Sequence, residues 1–183
     1  MNLKLSTISL LVGLLYAAPQ VFALARPAQF TEAARKFPRS LPWGWALMLL
    51  GTGWFLYNLS QESIADFAAY KSFLMLGFAA VGIGSCIFVQ DFLGARGLAV
   101  VLLLLAKLMV DSGRPALQFT GWALCIQLLA YVFVIVGIWL TISPWRLRDW
   151  IQWVTANPMR IKSFCAANLA FGLLMCALGI AKF

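Results

Sequence analysis

Residues 91–111 read DFLGARGLAVVLLLLAKLMVD, and whether they cross a bilayer decides how many times the whole chain does. A span needs about 20 mostly apolar residues to cover a hydrocarbon core roughly 30 Å thick. Arg96 and Lys107 leave ten uninterrupted apolar residues between them, 97–106, and at 1.5 Å per residue these cover about 15 Å. That is half a bilayer. Residues 92–111 still read as a span if both cations snorkel towards opposite interfaces along their aliphatic stems. A short re-entrant or buried helix is the rival reading.

Outward from this stretch the charges mark off easier cases. Residues 5–25, 40–61, 72–90 and 163–181 are uncharged runs of spanning length, and the uncharged run 115–145 holds one more span near 121–143. The composition agrees. The chain has 183 residues, is 63% hydrophobic and 11% charged, and carries a net +8. Soluble domains carry about a quarter charged residues, so too little charge is present to clothe a water-facing surface or to build a nucleic-acid interface. Histidine is absent. That removes His-ligated haem, most zinc sites, and Ser-His or Cys-His catalytic dyads. The expected class is an all-α, polytopic membrane protein with six transmembrane helices and a short interfacial helix, forming one transmembrane domain over 1–183.

The first run has a second reading. Lys4, the apolar stretch to Ala18 and the triplet Ala23-Leu24-Ala25 resemble a cleavable secretory signal peptide. Topology favours a retained helix. With six spans, the odd loops hold Arg26, Arg35, Lys36, Arg39, Arg96, Arg146, Arg148, Arg160 and Lys162. The even side holds Lys4, Lys71, Lys107, Arg114 and Lys182. The excess of cations places the odd loops, including 26–40 and 144–162, in the cytoplasm of a bacterial inner (plasma) membrane, with both termini outside. The net +8 is then mainly an orientation signal.

Loop 144–162 is the most structured. Over 145–154, Leu147, Trp150, Ile151 and Val154 recur at helical spacing with Arg148, Asp149 and Gln152 opposite. Pro144 suits a helix start. The pattern predicts a helix lying in the interface, with Trp145, Arg146, Arg148, Trp150 and Trp153 as its membrane-interface residues. In the first loop, a turn or two of helix capped by Thr31 is expected. Glu62 and Asp66 form an acidic pair in the second loop.

Three short matches recur in order. Arg26-Pro27-Ala28-Gln29-Phe30-Thr31 resembles Arg114-Pro115-Ala116-Leu117-Gln118-Phe119-Thr120, GWAL occurs at 44–47 and 121–124, and KSF at 71–73 and 162–164. They are compatible with two inverted three-helix repeats, 1–91 and 92–183. They are equally compatible with chance in a chain built from few residue types.

Candidate chemistry is sparse. Cys86, Cys125, Cys165 and Cys176 all lie inside predicted spans, form no CxxC, and read as small hydrophobes. No metal or cofactor is expected. Ala80/Gly84 and Ala166/Ala170, at four-residue spacing, are expected to let helices approach, and Gln127 and Asn168 to hydrogen-bond between helices. The candidate intramembrane charged face is Arg96 and Lys107, three helical turns apart, with Asp91 pairing Arg96 and Asp111 pairing Lys107 at i+4. An anion path along this face competes with ordinary snorkelling pairs. Asn157-Pro158-Met159-Arg160 shares three residues with the aquaporin signature. Its third position departs, no Asn-Pro partner exists in the first half, and the expected sidedness is reversed, so membership is excluded. The functional expectation is a non-catalytic accessory, assembly or interaction subunit, whose partners are the lipid bilayer and other membrane-protein subunits, with no nucleic acid. A small transporter or channel built from an inverted repeat is the alternative.

Overall fold

The computed structural model describes residues 5–62, 70–118 and 120–181. Lys4, Asp66, Phe119 and Lys182, used above for sidedness, the acidic pair and the repeat, lie outside the described residues. All regular structure among the described residues is helical: α1 (Leu5–Ala25), α2 (Pro27–Lys36), a 3-10 turn (Phe37–Arg39), α3 (Leu41–Gln61), α4 (Lys71–Phe88), α5 (Leu93–Ala116), α6 (Ala123–Ile142), α7 (Trp145–Val154) and α8 (Pro158–Ala181). Proline marks several starts. Pro27 and Pro158 are the first residues of α2 and α8, where a missing N–H costs nothing. Thr31 is no cap. It sits inside α2 with its hydroxyl donating to the Pro27 carbonyl at 2.8 Å, because the helix begins at Pro27, ahead of the expected start, and back-bonding is what an interior threonine does.

Among the described residues, α1, α4, α5, α6 and α8 are long and apolar enough to cross a membrane. The helix over the doubtful stretch, α5, is one of them. With 21 residues, α3 matches α1 in length, but Trp43, Trp45, Trp54, Tyr57 and Asn58 make it less apolar.

The chain divides into two compact units, residues 1–35, 105–133 and 148–183, and residues 36–104 and 134–147. In the first unit α1 and α8 run antiparallel. Ser9 donates its hydroxyl to the Met175 carbonyl at 2.7 Å, buried between the helices. One turn on, a methyl group at Gly13 would lie 2.5 Å from Cys176 Sγ and 2.7 Å from the Gly172 carbonyl. At the far end Ala23 is buried with Ile161 and Cys165, and Phe30 of α2 packs on them. Tyr16 joins the face by stacking on Phe133, centroids 6.1 Å apart, and meeting Phe171 edge-on at 5.6 Å. Lipid tails are as apolar as leucine, so close backbone approach through small residues is what holds such helices together.

In the second unit α3 and α4 form an antiparallel hairpin. Met48 is buried with Cys86, Thr52 fills the space beside Gly82, and the Phe55 and Phe78 rings meet at 4.8 Å. At the open end Lys71 Nζ donates to the Ser60 and Glu62 carbonyls at 2.7 and 3.0 Å, satisfying acceptors that a helix end leaves unpaired. The start of α5 runs alongside α3, with Gly44 against Leu93, Gly97 against Leu47 and Gly51 against Val100. Phe92 enters α5 at φ 55°, a left-handed conformation costing roughly 1–2 kcal/mol outside glycine. Arg39 lies over its ring at 5.0 Å.

The small pairs expected to bring helices together do not do so. Ala80, Ala166 and Ala170 are exposed, and Gly84 meets only its own helix's Phe88 ring at 3.9 Å. Approach occurs at Gly13, Gly172, Gly44, Gly97 and Gly82 instead. Apolar side chains cover the outside: Phe73, Leu76, Phe88, Ile142 and Ile180 are each at least 69% exposed. Water would penalise such a coat, and lipid solvates it.

Candidate functional site

The structure gives the four residues of the proposed charged face separate local partners. Lys107 Nζ lies 2.7 Å from Asp111 Oδ2, with the two side chains 47% and 52% exposed. The i, i+4 spacing on α5 places them on one face, and pairing lowers the cost of carrying either charge at membrane depth. Arg96 is half-buried near the start of α5. Its Nε donates to the Asp91 main-chain carbonyl at 3.4 Å, so the contact is with the backbone and not with the carboxylate expected. The turn through Phe92 presents that carbonyl.

Of the two neutral polar residues, Gln127 Nε2 on α6 donates to the Val110 carbonyl of α5 at 3.3 Å, an interhelical bond. Asn168 behaves differently from expectation. Its Nδ2 donates to the Phe164 carbonyl of its own helix at 2.8 Å, because the preceding turn offers a nearer acceptor than another helix does. The four cysteines are free. Among the described residues no group of three His, Cys, Asp or Glu could hold a metal ion.

Polar and aromatic residues converge most densely where α7 meets α8. Val154 of α7 is buried, Leu147 and Ile151 are half-buried, and Trp145 and Trp153 are exposed. Of the apolar stripe of α7, Val154 is thus covered by protein, Leu147 and Ile151 partly so, and Trp150 remains 47% exposed. Trp150 meets Phe164 edge-on with centroids 5.0 Å apart, fixing α7 against the first turns of α8. Arg148 pairs with Asp149 at 2.7 Å. At the end of α7, Arg35 of α2 donates from Nε to the Thr155 hydroxyl at 2.9 Å and from its terminal nitrogen to the Thr155 carbonyl at 3.1 Å. Asn157 then starts α8: its side-chain oxygen accepts from the Met159 N–H at 2.9 Å. The Asn-Pro pair is therefore a helix start, an N-cap followed by proline at the first position.

Just beyond lies an open groove of about 450 Å³ walled by Trp153, Val154, Met159 and Phe164, with Asn157, Arg160 and Ser163 supplying its polar groups. The Arg160 guanidinium sits over the Trp153 ring at 5.1 Å. Sequence reading singled out Trp153 but missed Arg35, Thr155, Arg160 and Ser163 as a cluster. Only the three-residue recurrence Asn157, Arg160, Ser163 on one helix face could have signalled it. The groove's chemistry is amphiphilic, a mainly apolar lining that includes the Arg160 and Ser163 donors.

Fold and site together define an all-α, multi-pass integral membrane protein. Compared with known proteins, the chain matches no family profile, no curated protein and no solved structure.

Proposed function

We propose that the chain is a non-catalytic accessory or assembly subunit of the bacterial inner membrane, spanning it six times and docking another membrane protein through the α3/α4 hairpin. The observation that carries the docking is how glycine is used. Ten of the fourteen glycines meet a neighbouring segment so closely that a methyl group would crowd it. Glycine weakens a helix by about 1 kcal/mol relative to alanine, and these contacts explain its use. Gly53, Gly77 and Gly121 face open space, and Gly84 nearly so; Gly121 lies in the turn before α6, and the other three lie on this hairpin. The apolar stretch of α4 is 11% buried, against 44% for α5 and α6. A second membrane helix seated on Gly77, Ala80 and Gly84 gives those residues the role that glycine has elsewhere in the chain.

Six crossings are supported by parity. Antiparallel α1 and α8 require an even number, and α1, α4, α5, α6 and α8 alone are five. The tryptophan-rich α3, paired antiparallel along α4 from Met48 to Ser60, supplies the sixth. The Arg35–Thr155 bonds support a common side for the loops that carry these two residues, and the cations of 26–40 and 144–162 favour the cytoplasm for it.

Affinity purification of the full chain in mild detergent tests the docking. A stoichiometric membrane partner is expected with the wild type and lost from Gly77→Leu/Gly84→Leu, with thermal stability unchanged. Recovery of the chain without any stoichiometric partner sinks the proposal.

A further inference from the structure

We infer that the groove at the α7–α8 elbow binds the headgroup end of one anionic phospholipid, its phosphate on Arg160 and Ser163 and an acyl chain along Met159 and Phe164. Three observations meet there. First, Asn157, Arg160 and Ser163 recur every third residue, so their polar groups line one face of α8 as it leaves the interface. Second, Arg160 is held but not used up. Its position over the Trp153 ring at 5.1 Å holds the guanidinium at the groove wall by a cation–π contact that consumes none of its N–H donors, which suits it to a bidentate phosphate oxygen pair. Among the described residues neither those N–H groups nor the Ser163 hydroxyl has a protein hydrogen-bond partner. Third, the wall beside these donors is apolar, formed by Trp153, Val154, Met159 and Phe164.

Charge complementarity selects the occupant. None of the residues lining the groove is acidic, and Arg160 among them is cationic. The neighbouring Arg148 is balanced by Asp149 at 2.7 Å and adds little. A soluble phosphate ion uses the donors and leaves the apolar trough wet. A zwitterionic lipid fills the trough but brings a cation to an already cationic rim. An anionic phospholipid satisfies both surfaces, and the elbow sits at the level where headgroups lie, at the membrane-entry end of α8. The inference rests on the multi-pass fold and is independent of the docking proposed for α4.

Native mass spectrometry of the full chain tests it, using phosphatidylglycerol and phosphatidylcholine with identical acyl chains. The wild type should retain phosphatidylglycerol in preference. Arg160→Gln should reduce that preference about fivefold, the weight of one basic side chain against an anionic headgroup, and Arg160→Lys should keep most of it. Arg160 is exposed, so both variants fold, which thermal unfolding verifies. Phosphatidylglycerol carrying a photoactivatable acyl chain should cross-link at Met159 or Phe164. Equal retention of the two lipids, an unchanged preference in Arg160→Gln, cross-links confined to other helices, or displacement by excess inorganic phosphate each overturns the inference; the last assigns the site to a free anion.

Discussion

At Gly172 a single methyl group decides whether α1 and α8 can touch. Added there, it would lie 2.8 Å from the Gly13 carbonyl and 2.9 Å from the Ala17 amide nitrogen. Both are backbone atoms, which cannot swing aside as a side chain does, so the helices must part. Gly172→Ala should lower stability by about 1–3 kcal/mol, the range for overpacking a filled interior, read as a fall in the thermal midpoint in detergent. Gly77→Ala is the control. It meets nothing within 4 Å, and alanine's higher helix propensity should leave the midpoint unchanged or slightly raised. Ser9→Ala probes the same seam by another route. It deletes the buried hydroxyl-to-carbonyl bond to Met175 and should cost about 0.6 kcal/mol, the average measured for such bonds between membrane helices. If Gly172→Ala and Gly77→Ala melt alike, the tight α1–α8 seam is wrong.

Element boundaries are largely legible in the sequence, because charges end apolar runs and prolines begin helices. Residues 145–154 form the helix their periodicity predicts, and residues 93–116 form a long apolar helix despite Arg96 and Lys107. Contacts are far less legible. In water a helix reveals its buried face by the contrast between apolar and polar residues. In lipid both faces are apolar, so pattern does not separate Ala166/Ala170, which are exposed, from Gly172/Gly179, which meet α1. The Arg35–Thr155 bonds join residues 120 positions apart, beyond any local signal. The same packing bears on the fate of α1. Cleavage after Ala25 would strip α8 of the partner that covers Cys165, Gly172 and Met175. Intact-mass measurement of the purified, C-terminally tagged protein should therefore include residues 1–25. A mass lacking them would show α1 to be a leader and return the span count to odd.

For the whole molecule, sidedness and span number are one problem, since each added crossing exchanges inside for outside. Everything depends on α3, which is as long as α1 but whose tryptophans and Asn58 dilute its apolar character. Its partner constrains it more strongly than its composition does. Contacts Met48–Cys86, Phe55–Phe78 and Ser60–Lys71 hold it antiparallel to α4 over most of its length, so a crossing α4 carries α3 across with it. Tryptophan near span ends then acts as an interface anchor. The proposed six-span topology puts residues 26–40 and 144–162, with most of the cations, on one face. Membrane-impermeant thiol labelling can read this out in a cysteine-free background. Single cysteines at Arg35 and Arg148 should be protected in intact cells, while cysteines at Glu62 and Arg114 should react. If α3 did not cross, Arg35 and Arg148 would lie on opposite faces and only one would be protected, an outcome irreconcilable with the two bonds from Arg35 to Thr155.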